Sequence, residues 1–143
     1  MNAINSVLFT RAGWGITVLR IIVGIIFMAH GSQKLFGLFG GGGLAGTAQF
    51  MESLGLTPPM LMAMLSGGAE FFGGLALVIG LLVRPAALAL IGLLLVAIFS
   101  VHIGNGLFMA NNGYEFALAL LGGAVAVLVE GAGRASVDRI IAK

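Results

Sequence analysis

The sequence predicts an all-α, polytopic membrane protein built as a bundle of four transmembrane helices. Apolar residues make up 59% of the 143-residue chain and charged residues only 8%, whereas a soluble domain carries about 25% charged residues. The mean hydropathy is +1.13. Four apolar segments also approach the roughly 20 residues that a helix needs to span a bilayer. We therefore expect a single membrane-embedded domain over residues 1–143.

Each predicted span is bounded by recognisable sequence features. The spans cover about residues 14–36, 60–83, 85–103 and 113–129. The first contains Arg20 and His30 and is followed by no small-x-small cleavage site, so we interpret it as a retained span rather than a signal peptide. Arg84-Pro85 divides a longer apolar run. Proline is well tolerated in the first turn of a helix, which predicts a tight hairpin between the second and third spans.

The distribution of basic residues predicts the orientation. Those expected on one side of the membrane are Arg11, Arg84, Arg134, Arg139 and Lys143. Only Lys34 lies near the other side. The positive-inside rule then places both termini in the cytoplasm of a bacterium, with the chain in the inner membrane.

The loop between the first two spans, residues 37–59, combines a flexible and an amphipathic part. Four consecutive glycines, Gly40 to Gly43, are followed by a segment, residues 47–54, in which apolar residues alternate with Gln49 and Glu52. This pattern is typical of a short helix lying on the outer surface of the membrane. The helix either connects two spans or acts as a lid over a site.

A short internal similarity suggests a repeat of two spans. His30 and His102 are each followed five residues later by Leu-Phe, and the second and fourth spans contain Gly-Ala-Glu-Phe and Gly-Tyr-Glu-Phe, respectively. Two spans return the chain to the same side, so the two halves of such a repeat would be parallel.

Ionisable residues inside the spans mark the candidate site, because a charge in hydrocarbon is costly unless it is paired or functional. They are Arg20, His30, Lys34, Glu70, His102 and Glu115. Depth counted along each helix predicts that His30, Lys34, Glu70, His102 and Glu115 converge on a polar cavity in the outer half of the bundle. Arg20 would form the floor of this cavity, paired with Glu70.

These residues also have structural interpretations. Lys34 would extend to the outer headgroups. Arg20 and Glu70 would form an ion pair that fixes the helix register. His102 and Glu115 would be interfacial residues at helix ends.

The polar positions belong to a longer pattern that resembles the DoxX family. The matching elements are Leu19-Arg20, Gly24, His30-Gly31, Lys34-Leu35-Phe36-Gly37, Phe50, Leu54-Gly55, Pro58-Pro59, Glu70, Gly73-Gly74, Gly80-Leu81, Arg84-Pro85, His102, Asn105-Gly106, Glu115, Gly131-Ala132-Gly133-Arg134 and Asp138. The family is similar to the membrane subunit of thiosulfate:quinone oxidoreductase, and some members associate with redox enzymes. The resemblance implies the four-span fold, the polar cluster and a link to redox chemistry.

The preferred function is a redox-associated membrane component with a quinone-like ligand in the outer-half cavity. His30 and His102 would donate protons to ligand oxygens, Glu70 and Glu115 would relay protons, and Arg20 and Lys34 would hold charge. A transporter or binding protein for a small polar or anionic solute and a non-catalytic scaffold for a redox enzyme complex are the alternatives.

The expected cofactors and partners follow from the same residues. Haem ligation by two histidines, or a metal held by histidines and carboxylates, lacks the usual His-x-x-His or Glu-x-x-His spacing. The chain has no cysteine, which excludes thiolate metal sites and disulfides of its own. The sequence has no run of basic residues that would indicate binding to nucleic acid. The expected partners are the lipid bilayer, a soluble or membrane redox enzyme, and further copies of the chain.

Overall fold

The computed structural model describes residues 2–10 and 13–142, and all regular structure in this part of the chain is helical. The α-helices are α1 (Ala3–Leu8), α2 (Trp14–Phe36), α3 (Gly43–Ser53), α4 (Pro59–Ile79), α5 (Val83–Ala97), α6 (Glu115–Glu130) and α7 (Val137–Ile141). A π turn (Ile98–His102) and a 3₁₀ turn (Ile103–Asn105) extend α5, and a second 3₁₀ turn covers Met109–Asn111. Arg11 and Lys143, two of the basic residues used to predict orientation, lie outside the described residues.

Three helical segments are long and apolar enough to cross a membrane. They are Trp14–Phe36, Pro59–Ile79 and Val83–Asn105, and they correspond to the first three predicted spans. Helix α6 overlaps the fourth predicted span but has only 16 residues. The four-helix transmembrane bundle is therefore supported for three helices, and the fourth span stays a prediction.

Helices α2 and α4 pack antiparallel with their backbones in contact. A Cβ atom built on Gly24 would lie 2.7 Å from the Gly74 carbonyl oxygen, and one built on Gly31 would lie 2.7 Å from Phe71 Cα. On Gly67 it would overlap the Leu35 side chain. Glycines two turns apart lie on the same helix face, so each helix presents a smooth surface to the other.

The remaining long helices complete a closed arrangement. Helix α5 contacts both α4 and α6, and α6 in turn contacts α2. Their shared core includes Phe27, Leu77, Leu90 and Val127, all less than 2% exposed. These helices define two ends of the molecule. We call the end that carries α1 and α7 the terminal end, and the end that carries α3 the α3 end.

The turns at the terminal end are fixed by polar contacts to helix termini. Helix α4 ends at Gly80, whose φ of +76° favours glycine. Asp138 of α7 accepts hydrogen bonds from the first N–H groups of α5, from Leu82 at 2.7 Å and Val83 at 3.0 Å. Arg84 donates to the last carbonyls of α6, at Leu128 and Val129. The hairpin predicted from Arg84-Pro85 is thus present as a tight turn between α4 and α5.

The amphipathic helix predicted in the first loop is present as α3. It begins at Gly43, four residues before the predicted start, and buries Thr47 and Met51 against the long helices. The Thr47 hydroxyl donates to the Lys34 carbonyl at 3.2 Å, which ties α3 to the end of α2. Helix α3 therefore packs against the protein as well as presenting an exposed face.

Candidate functional site

A cavity of about 360 Å³ lies under α3, between α4 and α5. We call it the α3 cavity. Phe50, Met51 and Leu54 of α3 form its roof. The lining residues contributed by α4, α5 and the π turn are Met62, Leu65, Ser66, Ala69, Ala89, Gly92, Leu93, Val96, Ala97, Ser100 and Val101, with Leu56 and Lys34 completing the wall. Apart from Lys34, Ser66 and Ser100, all of these side chains are apolar or absent. The cavity is therefore an apolar pocket with a few polar groups, open on the side where Leu65, Val96 and Ser100 are exposed.

Lys34, Ser66 and Glu70 form a polar network at the α2 side of the cavity. The Lys34 ammonium donates to Ser66 Oγ at 2.8 Å and to Glu70 Oε1 at 2.9 Å. The Glu70 side chain is 8% exposed and that of Lys34 is 29% exposed. Lys34 and Ser66 line the cavity, whereas Glu70 lies behind Lys34. The cavity wall thus carries a cation whose charge is balanced by a buried carboxylate.

One polar atom of this network lacks a partner. Glu70 Oε2 is buried and accepts no hydrogen bond from the residues that the structure describes. A buried acceptor without a donor costs about 1–3 kcal/mol. Such an atom beside a cavity is placed to accept a hydrogen bond from water or from a ligand that carries a donor.

The close approach of α2 and α4 makes the network possible. Gly31 lies directly against Phe71, the residue after Glu70, and Gly67 lies against Lys34 and Leu35. Side chains at these two positions would separate the helices and move Lys34 away from Glu70. The glycines of the interface therefore serve the site as well as the packing.

The π turn adds a hydroxyl to the opposite wall. It interrupts the regular hydrogen bonding of α5 at Ile98–His102, and Ser100 within it lines the cavity. Such turns occur often at functional sites, because one extra residue re-aims the side chains that follow it. Neither the π turn nor Ser100 was predicted from the sequence. Ser66 was also missed, although its position one turn before Glu70 on α4 could have pointed to it.

The structure does not bring all the predicted site residues together. His30 is exposed, and its imidazole lies against the Phe116 ring with 6.1 Å between the ring centres. His102 Nδ1 lies 2.9 Å from the Asn112 carbonyl oxygen, and Glu115 Oε2 accepts from the Met109 N–H at 2.8 Å. His102 and Glu115 thus organise the loop between α5 and α6. Of the five residues expected to converge, only Lys34 and Glu70 meet.

Arg20 occupies a different place from the one predicted. Its guanidinium donates to the carbonyls of Ala132, Leu77, Val78 and Ala135. The side chain is 1% exposed, and it caps the end of α4 near the terminal end of the molecule. The predicted Arg20–Glu70 pair is wrong, because Arg20 is level with Leu77, whereas Glu70 lies about 10 Å further along α4. Free carbonyls at a helix C-terminus carry partial negative charge and compensate the buried cation.

No group of three or more histidine, aspartate or glutamate residues is placed to hold a metal ion within residues 2–10 and 13–142. The ionisable residues predicted for the site are instead distributed over the α3 cavity, the α5–α6 loop, the α2–α6 surface and the terminal end.

Comparison with known proteins identifies the family. The sequence model of the DoxX family matches residues 15–103, which include α2 from its second residue, all of α3, α4 and α5, and every residue that lines the α3 cavity. The chain belongs to the DoxX family. It is thus an integral membrane protein, as the resemblance in its sequence implied.

Two named relatives extend the match. This DoxX chain is 33% identical to inner membrane protein YqjF of Escherichia coli over 135 residues, which cover 90% of the chain and 93% of the relative. It is 35% identical over 106 residues to a Bacillus subtilis protein named "Putative oxidoreductase CatD", covering 74% of the chain and 72% of that relative. No solved structure matches the chain.

Proposed function

We propose that this DoxX chain binds a neutral, quinone-like ligand in the α3 cavity and serves as the membrane component of a redox enzyme. The observation that carries the proposal is the α3 cavity itself, an open apolar pocket with Lys34 and Ser66 in its wall. Small-molecule sites commonly have this character, with mostly apolar walls and a few polar groups that fix orientation.

The polar groups fit the oxygen atoms of a quinone. Ser66 Oγ accepts from Lys34, so its own proton is free to be donated to a ligand. The Lys34 ammonium has three N–H groups, of which Ser66 and Glu70 accept two. A carbonyl oxygen in the cavity would therefore find two donors close together.

The charge balance favours a neutral ligand over an anion. Glu70 neutralises Lys34 across 2.9 Å, so the pair has no net charge to attract an anionic solute. A small polar solute would also face mainly apolar walls. These walls offer no hydrogen-bond partners, so the polar groups of the solute would stay unpaired. The cavity thus supports the quinone-like ligand better than the alternative of a transported polar or anionic solute.

The residues then take revised roles. Lys34 and Ser66 contact the ligand, Glu70 holds the Lys34 ammonium in place, and Ser100 faces the ligand from the π turn. We assign His102 and Glu115 to the structure of the α5–α6 loop and His30 to the surface between α2 and α6. Electrons would come from a partner redox enzyme, an assignment supported by the name of the CatD relative.

A binding measurement tests the proposal. The purified protein in a mild detergent is expected to bind decylubiquinone, measured by equilibrium dialysis. Ala97→Phe, which fills the cavity wall, is expected to abolish binding. Ala119→Phe, on an exposed part of α6, is the matched control and should retain it. His30→Ala should also retain binding, because His30 lies against Phe116. Equal binding by Ala97→Phe and the wild type would refute the site.

We also propose that α6 is a fourth transmembrane span and that both termini are cytoplasmic. Helix α6 runs back from the α3 end to the terminal end beside α5 and α2, and its 16 residues correspond to about 24 Å of helix. The terminal end carries Arg84, Arg134 and Arg139, whereas the α3 end carries Lys34. This asymmetry favours a cytoplasmic terminal end.

A further inference from the structure

A second apolar groove continues from the α3 cavity towards the terminal end. It has a volume of about 400 Å³ and runs between α4 and α5. Ala69 of α4 and Ala89 of α5 line both spaces. The groove is therefore a continuation of the α3 cavity along the face that α4 and α5 present to the membrane.

The lining of this groove differs from that of the cavity. Every residue that lines it is apolar or glycine. Several are small, including Gly68, Gly73, Ala76 and Ala86, so the groove exists because side chains are missing along it. Two adjoining spaces, one with polar groups and one without, match a molecule that has a polar head and a hydrocarbon tail.

We propose that the groove holds the hydrocarbon tail of the ligand whose head occupies the α3 cavity. The ligand is then a prenylated or alkylated quinone whose tail points from Lys34 towards the terminal end. This inference rests on the proposed function and adds the class of ligand and its direction. From Ala69 to Ile79 the groove follows α4 for about 15 Å at ~1.5 Å per residue, which sets the length of tail that the protein contacts.

The polar end of the cavity favours this occupant over a phospholipid chain or a partner helix. The Lys34 ammonium lines the cavity, and Ser66 and Glu70 accept only two of its three N–H groups. An acyl chain or an apolar helix in the groove would leave the third N–H group without an acceptor. A molecule that fills both spaces brings oxygen atoms to Lys34 and apolar carbon to the groove at once.

Gly68 offers a substitution that fills the groove without disturbing the fold. A Cβ atom there would meet no atom within 4 Å, so Gly68→Leu places a side chain in the groove and not into a neighbouring helix. Gly122 of α6 has the same open surroundings and lies away from the groove. Gly122→Leu is therefore the matched control.

The experiment compares two probes in the same detergent micelles: decylubiquinone and the same benzoquinone headgroup without a tail. Each probe partitions into the micelles to the same extent for every variant. A difference in binding between variants therefore reports a difference in contacts between the probe and the protein. Gly68→Leu is expected to weaken decylubiquinone binding about tenfold, a change of one decade in Kd, and to leave the tailless headgroup unchanged. Gly122→Leu should change neither.

The possible outcomes separate the two proposals. If the wild type binds neither probe, the proposed function fails and the tail site fails with it. If both probes bind and Gly68→Leu leaves decylubiquinone unaffected, or weakens both probes equally, only the tail site is refuted. Loss of a co-purified phospholipid from Gly68→Leu, with unchanged decylubiquinone binding, would assign the groove to lipid and likewise refute it.

Discussion

Glu70 and Lys34 differ in their access to water. This difference determines how much stability the protein loses when one of the two is left without its partner. The Lys34 side chain is 29% exposed and that of Glu70 only 8%. A lysine near the end of a span can extend its ammonium group to the membrane surface. Glu70, in the middle of α4, has no such route. The carboxylate therefore depends on the ammonium group more than the reverse.

At the scale of single residues, Lys34→Met is expected to destabilise the protein more than Glu70→Gln. The first leaves a buried carboxylate unpaired, which costs about 3–5 kcal/mol. The second substitution leaves a lysine that can reorient towards water, so we expect it to destabilise the protein by only about 1 kcal/mol. Thermal unfolding in one detergent measures both. The double variant should lose less than the sum of the single losses, and strictly additive losses would contradict a direct interaction.

Arg20 illustrates how backbone carbonyls can satisfy a buried charge, here with the Asp138 carboxylate close enough to attract it as well. Its guanidinium spans the end of α4 and the segment before α7, through the carbonyls of Leu77, Val78, Ala132 and Ala135. The planar group with five donors suits several acceptors at once. Arg20 thus joins three parts of the chain at the terminal end, which explains its burial without a catalytic role.

At the scale of elements, the start of α5 depends on a residue more than fifty positions later in the sequence. Asp138 accepts from the Leu82 and Val83 N–H groups, and its own N–H donates to the Gly80 carbonyl. It thereby caps α5 and fixes α7 against the α4–α5 turn. The side chain is 1% exposed, so water cannot replace it.

We expect Asp138→Ala to destabilise the protein by about 2 kcal/mol, because the buried Val83 N–H and the part-buried Leu82 N–H lose their acceptor. Asp138→Asn keeps one acceptor oxygen and should cost less. Unfolding temperature and yield after purification measure the difference. Equal stability of Asp138→Ala and the wild type would show that the cap contributes nothing.

The α2–α4 interface gives a second prediction at this scale. Gly31→Ala places a methyl group on the Phe71 backbone and must push the helices apart. The expected cost is about 1–3 kcal/mol, with a matching loss of quinone binding as Lys34 moves from Glu70. Gly122→Ala, whose Cβ would meet open space, is the control and should be neutral. The prediction fails if the two variants unfold at the same temperature.

For the whole molecule, the sequence predicted elements better than contacts between them. Hydropathy located α2, α4 and α5, because span length is set by the bilayer and not by neighbouring helices. The pairing of Glu70 was predicted wrongly because depth was counted separately in each helix. The true register is set where Gly24 meets Gly74 and Gly31 meets Phe71, and these contacts could not be predicted from either helix alone.

The candidate site was predictable to a similar extent. Lys34 and Glu70 stood out as ionisable residues in apolar segments, where their cost demands a partner. Ser66 and Ser100 carry no such signal, since hydroxyl groups are common in membrane helices. His30 and Glu115 looked equally strong in sequence, but both are exposed. Which face of a helix is buried depends on its neighbours, and only the structure supplies them.

The chain contains no cysteine, so single cysteines can test whether α6 crosses the membrane and which end is cytoplasmic. Asn111 and Ile140 are exposed on either side of α6. If α6 spans the bilayer, Asn111→Cys should react with a membrane-impermeant maleimide in intact cells or spheroplasts. Ile140→Cys should react only after the membrane is opened, because positive-inside orientation places the arginine-rich terminal end in the cytoplasm. Gly42→Cys, next to α3, should behave as Asn111→Cys. Labelling of Ile140→Cys and Asn111→Cys from the same side would rule out the fourth span, and the reverse labelling of both would invert the orientation.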